Sequence, residues 1–412
     1  MATHKYTMFP DQLTEESIPN IPSLLKANGY RTGLIGKLHV NPESAFPFDS
    51  RWNDPDFISF TNRNMQKISQ VAETFITISD APFFLMVSYP DAHLPFHRQQ
   101  SGLPENPYQA ADVETLPFVG IDTHRLRTQT ADYYSCISRL DSGIGLLLDR
   151  LQHSGKADKT IVIFTTDHGA QFSRGKTAIY EGGLKIPFIL RGPTIGSEGL
   201  IREELVSLVD ILPTVMDVAG IDRPDSVEGQ SLIPLIQESS AGWREYLCAE
   251  WCSAHPPIYF PQRSVRDKKF KVILNLLQDR PSPSAIGYAG ISRFGAWEPG
   301  ASAAEIASAE DQIHQAYKTY QNPPVEELYD LENDPWEFNN LAGVLEYTGV
   351  QERLRRQLRH WQESTGDGLL EPDILNRLTE EHDAIVAEYY QETAWGKSRS
   401  YEWHYTEYLN QC

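Results

Sequence analysis

Residues 160–193 read TIVIFTTDHGAQFSRGKTAIYEGGLKIPFILRGP. The opening TIVIFTT is apolar or β-branched at nearly every position, which predicts a strand buried on both faces of a sheet. It ends in Asp167-His168-Gly169. A polar turn with Lys176 follows, then a second short apolar run, Ile186–Leu190. Strand ends in open α/β sheets are where ligand groups collect. An acid and an imidazole at such an end have the chemistry of metal ligands, and a nearby Lys that of an anion binder. The segment therefore points to metal-assisted chemistry on an anionic group.

The sequence around it alternates between helical and strand periods. Ile21–Gly29 reads as a short helix closed by glycine, Thr32–Gly36 as a short apolar stretch, and Pro82–Tyr89 (PFFLMVSY) as another buried strand. Tyr133–Leu151 carries Ile137, Leu140, Ile144, Leu147, Leu148 and Leu151 on one face of a helix, with Gly155 as its stop. Leu205–Ala219 reads as a further helix. This alternation predicts an α/β fold: a mostly parallel sheet sandwiched by helices, over residues 1–240. Beyond it the pattern changes. Tyr259–Asn275 predicts a hairpin turning at Arg266–Lys269. Pro281–Ala303 reads as a long loop, Tyr329–Leu331 as strand then turn, and Val344–Ser364 as an amphipathic helix. A smaller α+β unit is expected over 241–370 and a C-terminal tail over 371–412, whose Glu- and Tyr-rich part from Glu380 reads either as helix or as an arm that contacts a partner.

The chain has 412 residues, and 36 Lys plus Arg against 56 Asp plus Glu give a formal net charge of −20. That surface argues against a nucleic-acid partner, which needs a basic stripe. It also repels anions at long range, so an anionic substrate needs a locally positive pocket or a bound cation. No apolar run has the length of a membrane span. The N-terminal MATHKYTMFPDQLTEESIP has no apolar signal core. Of Cys136, Cys248, Cys252 and Cys412, only Cys248-x3-Cys252 has a spacing that could bind metal or close a disulfide, and no second pair supports a structural zinc site.

Four clusters each follow an apolar run: Gly36-Lys37-Leu38-His39, Asp91-Ala92-His93, Asp167-His168, and Lys176 in the turn beyond. Any one alone reads equally well as a solvated or satisfied loop residue. All four can converge on one rim of a parallel sheet, and together they suit a sulfate or phosphate ester. The carboxylate favours a hard divalent cation. The lysines neutralise an oxyanion, and the histidines move protons. A nucleophile is lacking.

These stretches resemble the sulfatases of the alkaline-phosphatase-like superfamily. IPSLLKANGYRTGLIGKLHV is similar to that family's helix and Gly-Lys-x-His motif. DYYSCISRLDSGIGLLLDRLQHSGKADKTIVIFTTDHG is similar to its central helix, strand and metal motif, and ELYDLENDPWEFNNLAG to its C-terminal signature. The resemblance covers residues of about 15 to 365. KLHVNPESAFPFD, FSRGKT and QRSVRDKKFKVILNL look most like the sulfamidase (heparan N-sulfatase) branch. The resemblance implies Asp167 and His168 as calcium ligands, and Lys37 and Lys176 as holders of the sulfate oxygens. It implies that His39 assists sulfate release, that His93 contacts the sulfate and helps protonate the leaving group, and that His255 and Arg263 contact the sugar. The sulfamidase branch has Arg where Lys176 stands, so O- versus N-sulfo preference stays open. The expected partner is a sulfated saccharide, with the oligomeric state open. The family is usually periplasmic, secreted or lysosomal, but no signal peptide fixes the location here.

The family also carries two metal-binding Asp residues on a first strand, and a C/S-x-P-x-R motif oxidised to formylglycine, whose hydrate is the nucleophile. Neither occurs in this sequence. The expectation is a shortened chain whose Met1 is an internal or misassigned start, with little turnover of its own. The alternatives are a non-catalytic relative that binds sulfated glycans, or a phosphodiesterase- or phosphonate-type hydrolase on the same fold.

Overall fold

In the computed structural model the described residues are 17–53, 55–58, 62–193, 195, 199–237, 242–293, 299–390 and 402–409. Most of the N-terminal stretch quoted above, Cys412 and the end of the tail lie outside them. Asn20 starts the first helix, α1 (Ile21–Ala27): its side chain accepts Ser23 N at 3.0 Å, and Pro22 occupies the first turn. Gly29, at φ +81°, then turns the chain into β1 (Arg31–Gly36).

β1 is the middle of three parallel strands. It is flanked by β2 (Ser50–Trp52) and β3 (Phe83–Ser88), and Gly36 lies opposite Ser88. Leu34 and Ile35 are wholly buried there, and α2 (Met65–Thr77) covers the sheet with Ile68, Ala72 and Phe75. The long helix α3 spans His124–His153. It begins well before Tyr133 because Thr123 caps it, accepting Leu126 N at 3.2 Å. The deciding segment forms β4 (Val162–Thr165), the four-residue helix α4 (Glu181–Leu184) and β5 (Phe188–Arg191). β5 runs antiparallel to β4, so the first unit's sheets are parallel in one part and antiparallel in the other.

The helix expected from Leu205 starts later, as α5 (Ile211–Ala219). The Asp210 carboxylate accepts Ser207 N and Gln230 N, both at 2.8 Å, and pairs with Arg244, so the chain makes a tight turn before the helix begins. The second unit is an antiparallel sheet in the order β6 (Leu247–Trp251), β7 (Gln262–Arg266), β8 (Phe270–Asn275) and β9 (Glu326–Asp330). The predicted hairpin is β7–β8.

The stretch 281–303 is not all loop. Ser282 caps α6 (Pro283–Tyr288), accepting Ala285 N. α7 (Thr348–Thr365) packs Leu354 and Leu358 on Val265, Val272 and Leu328. Within the C-terminal tail, α8 (Pro372–Tyr389) buries Leu378 and Ile385 against Tyr259, Phe260 and Leu277. The two units share a core in which Phe172 and Tyr180 meet Ile273, Tyr317 and Tyr329.

Candidate active site

Lys37, His39, His93, Asp167, His168 and Lys176 all line one cavity of about 1830 Å³ at the C-terminal ends of β1, β3 and β4. The four sequence clusters therefore converge. Gly36 makes the first of them possible. Its φ is +97°, and a Cβ there would lie 2.2 Å from Ser88 O. Only glycine lets β1 close on β3 and swing Lys37 outward. Gly169 has the same role in the deciding segment: its N–H donates to Gly183 O at 2.8 Å, and a Cβ would lie 1.9 Å from Gly182 O.

The charges favour an anion. Burial lowers the Lys176 pKa, and Asp167 opposes that shift while Lys37 adds to it; burial likewise lowers Lys37, again against Asp167. Burial also holds His93 below the usual imidazole range, helped by Lys176, Lys37 and Arg63. Its Nδ1 lies 2.8 Å from Leu94 O. A carbonyl only accepts, so Nδ1 carries the hydrogen and Nε2 is the basic nitrogen of the neutral ring. Two cations, one carboxylate and an imidazole kept neutral make a positive spot in a chain of net charge −20.

His93 is held by groups that sequence reading did not connect. Asp91 is buried between Arg139, at 2.7 Å, and Arg63. Arg63 also donates to His93 O at 2.5 Å and Pro95 O at 2.9 Å. These partners come from α3 and from the loop before α2, and no local pattern pairs them.

Asp167 and His168 stand together, with His168 Nε2 at 3.3 Å from Asp167 Oδ2 and its Nδ1 at 2.8 Å from Gly169 O. Calcium takes about six to eight oxygen ligands. Here Asp167 supplies one carboxylate and His168 a nitrogen, and among the described residues no three His, Cys, Asp or Glu side chains gather. This donor set does not amount to a calcium site. The described cysteines form no disulfide. Burial raises their thiol pKa values, to about 11 for Cys136 and about 12 for Cys248 and Cys252. None of them lines the cavity, and none lies in a C/S-x-P-x-R motif.

Two expected sugar contacts are placed elsewhere. Arg263 is fully buried and grips Asp367 with Nε and Nη2, both at 2.8 Å. Its guanidinium is spent on joining β7 to the end of α7. His255 precedes the turn Pro256–Ile258, its N–H donating to Ser253 Oγ at 3.1 Å. Neither lines the cavity.

Below the charged rim, the cavity follows two strand edges. Every residue from Phe83 to Tyr89 and from Thr160 to Thr166 lines it, as do Leu140, Leu147 and Leu151 of α3 and Val215 and Val218 of α5. Side chains of one strand point alternately to opposite faces, so only a space running along the edge meets them all. Among the described residues, β3 pairs only with β1 and β4 only with β5. Both strands read as fully buried, and both are half-exposed along this slot.

This fold and rim define a hydrolase class, and the comparisons name it: the chain belongs to the sulfatase family, hydrolases of sulfuric esters and sulfamates. The sulfatase family model matches residues 2–221, and the model for the N-sulphoglucosamine sulphohydrolase C-terminal region matches residues 169–280. N-sulphoglucosamine sulphohydrolase of Homo sapiens is 30% identical over 391 residues, spanning 85% of this chain and 75% of that protein. An ulvan-active sulfatase of Formosa agariphila is 28% identical over 366 residues, spanning 87% of this chain and 67% of its own length. A solved complex of a protein with its substrate D-glucosamine-2-N,6-O-disulfate superimposes with a TM-score of 0.61 at 18% identity, covering 89% of this chain and 86% of the other. At that identity the match shows the fold.

Proposed function

We propose that this chain carries the sulfate-gripping and proton-transfer side of a hydrolase that removes sulfate from a sulfated sugar. The observation that carries this reading is the convergence of Lys37, Lys176 and His93 on one rim of an otherwise acidic protein. The relatives named for N-sulphoglucosamine and ulvan support the sugar. Lys37 and Lys176 hold two sulfate oxygens as point charges and stabilise the charge that builds on them. His93 rests neutral. The bound anion offsets the lysines, so Nε2 gains a proton and gives it to the leaving oxygen or nitrogen. His39, which also lines the cavity, assists departure of sulfate.

In a protein that bears the motif, formylglycine would supply the attacking hydrate, and a calcium ion, to which Asp167 would give one carboxylate, would neutralise charge on the sulfate. No C/S-x-P-x-R motif occurs in these 412 residues, and of the two expected calcium ligands only Asp167 offers a carboxylate. Accordingly, the 412-residue chain is expected to show negligible hydrolysis of 4-nitrophenyl sulfate, and calorimetric titration to find calcium bound no tighter than millimolar. Robust turnover, or micromolar calcium binding, would overturn this. In a protein that also bears the nucleophile motif, Lys37→Ala and Lys176→Ala should each lower kcat/KM by about 10²–10³-fold. Near-normal rates in both would sink the assignment.

The absent motif favours one second reading, a relative that binds sulfated glycans without cutting them. Binding of heparan oligosaccharides with no sulfate release, together with a stop codon and ribosome-binding site just upstream of Met1, would select it. An in-frame C/S-x-P-x-R segment upstream would select the enzyme.

A further inference from the structure

We propose that residues 333–338 of the C-terminal unit form a latch that fixes Lys176, with Arg174 and Glu337 as its positioning residues. The inference rests on the reading of Lys176 as a sulfate holder.

Lys176 sits in a turn of unusual backbone. Arg174 and Thr177, on either side of it, have φ of +66° and +72°. A side-chain-bearing residue is strained in the left-handed region, so surrounding contacts must impose the shape. Within the turn, Lys176 N donates to Ala170 O and Gly175 N to Phe172 O, both at 2.9 Å. What holds it from behind is Arg174. This side chain is buried and does not line the cavity, so it is not a substrate contact. Its guanidinium carbon lies 4.4 Å from the Tyr180 ring centre and 4.9 Å from that of Phe338. Its Nη2 donates to Trp336 O at 2.9 Å and to Glu337 O at 2.8 Å. A charge in that position orders two carbonyls and two rings at once.

Glu337 completes the latch from the other side. It is fully buried, with φ +62°. One carboxylate oxygen accepts Glu181 N at 2.5 Å, and the other lies 2.8 Å from Lys271 Nζ. Lys271 reaches Glu181 Oε1 at 3.1 Å, and Arg266 meets Glu181 Oε2 at 2.5 Å. Two carboxylates and two cations thus balance inside the protein. Buried pairs of this kind hold geometry more than they add net stability. Glu181 opens α4, whose Gly183 O accepts Gly169 N. One turn of the C-terminal unit therefore grips both ends of the segment that carries Asp167, His168 and Lys176. The Asn-Asp-Pro-Trp-Glu-Phe stretch, noted in the sequence only as a closing signature, is in this reading part of the anion site's support.

The test uses the 412-residue chain with Glu337→Gln, Arg174→Met and the milder Phe338→Leu, which keeps an apolar side chain should Arg174→Met fail to fold. Amide hydrogen exchange in 169–177 should rise about tenfold or more, while the amides of β1 and β8 keep their parent rates. The dissociation constant for inorganic sulfate should rise about tenfold at a melting temperature changed by no more than a few degrees. Combined with Lys176→Ala, Glu337→Gln should add no further loss of sulfate affinity. Unchanged exchange in 169–177, or exchange that rises throughout the core in step, would overturn the latch. If Lys176→Ala binds sulfate as the parent does, or the parent shows no sulfate binding, the sulfate reading of Lys176 fails instead, and the exchange rates alone decide the latch.

Discussion

Gly36 shows how much a single residue decides here. Its left-handed φ and the 2.2 Å approach of Ser88 O leave no room for a side chain. Gly36→Ala should cost about 1–3 kcal/mol or more, read as a lower urea midpoint with an unchanged slope; an unchanged midpoint would refute the packing argument. Gly36-Lys37-Leu38-His39 and Asp167-His168-Gly169 were legible because their chemistry is local. The supports were not. Arg63 and Arg139 reach Asp91 across 28 and 48 residues, and Arg174 reaches Glu337 across 163. Arg263 was misread for the same reason: its partner Asp367 lies 104 residues away, and a sequence shows the guanidinium without the acid that occupies it.

At the scale of elements, hydrophobic period found the strands and long helices, while side-chain caps set their ends. Thr123 extends α3, Asp210 delays α5, and Ser282 makes a helix where proline and serine read as loop. The short helix Ala303–Ala307 shows a cap serving a neighbour. Its Ser302–Glu305 box also ties in α3, since Glu305 accepts Thr123 Oγ1 at 2.7 Å and pairs with Arg125. Burial alone would raise the Glu305 pKa, but hydrogen bonds from Arg125, Thr123 and Ser302 outweigh it and hold the group at about 2. The folded pKa lies below the ordinary 4.5, so this contribution is present above pH 4.5 and is lost as pH falls towards 2. Arg125 in the pair is itself more than a third exposed, so solvent screens the pair and the effect is modest. Denaturant midpoints followed from pH 5 to about 2 should fall less steeply for Glu305→Gln than for the parent. Identical slopes would discard the assignment.

For the whole molecule, the slot between β3 and β4 is the feature that most sets the described sheet apart. TIVIFTT and PFFLMVSY were read as strands buried on both sides, and they are half-buried along one shared edge each. Unpaired edges of apolar strands recruit other chains. Since β3 and β4 have unpaired edges among the described residues, the apparent molar mass from light scattering should rise with protein concentration, and Met86→Lys, at an exposed position of β3, should lower it; an apparent mass that does not change with concentration would show that the edge is covered in solution. The antiparallel sheet β6–β9 follows the sheets of β1–β5, but Phe172, Tyr180, Ile273 and Tyr329 belong to one core. The grip of Trp336 and Glu337 on Arg174 and Glu181 carries that union to the anion site. For protein engineering this sets a rule of exchange. A chimera that takes its C-terminal unit from a relative must bring compatible partners for Arg174 and Glu181, because the two units do not trade as independent modules.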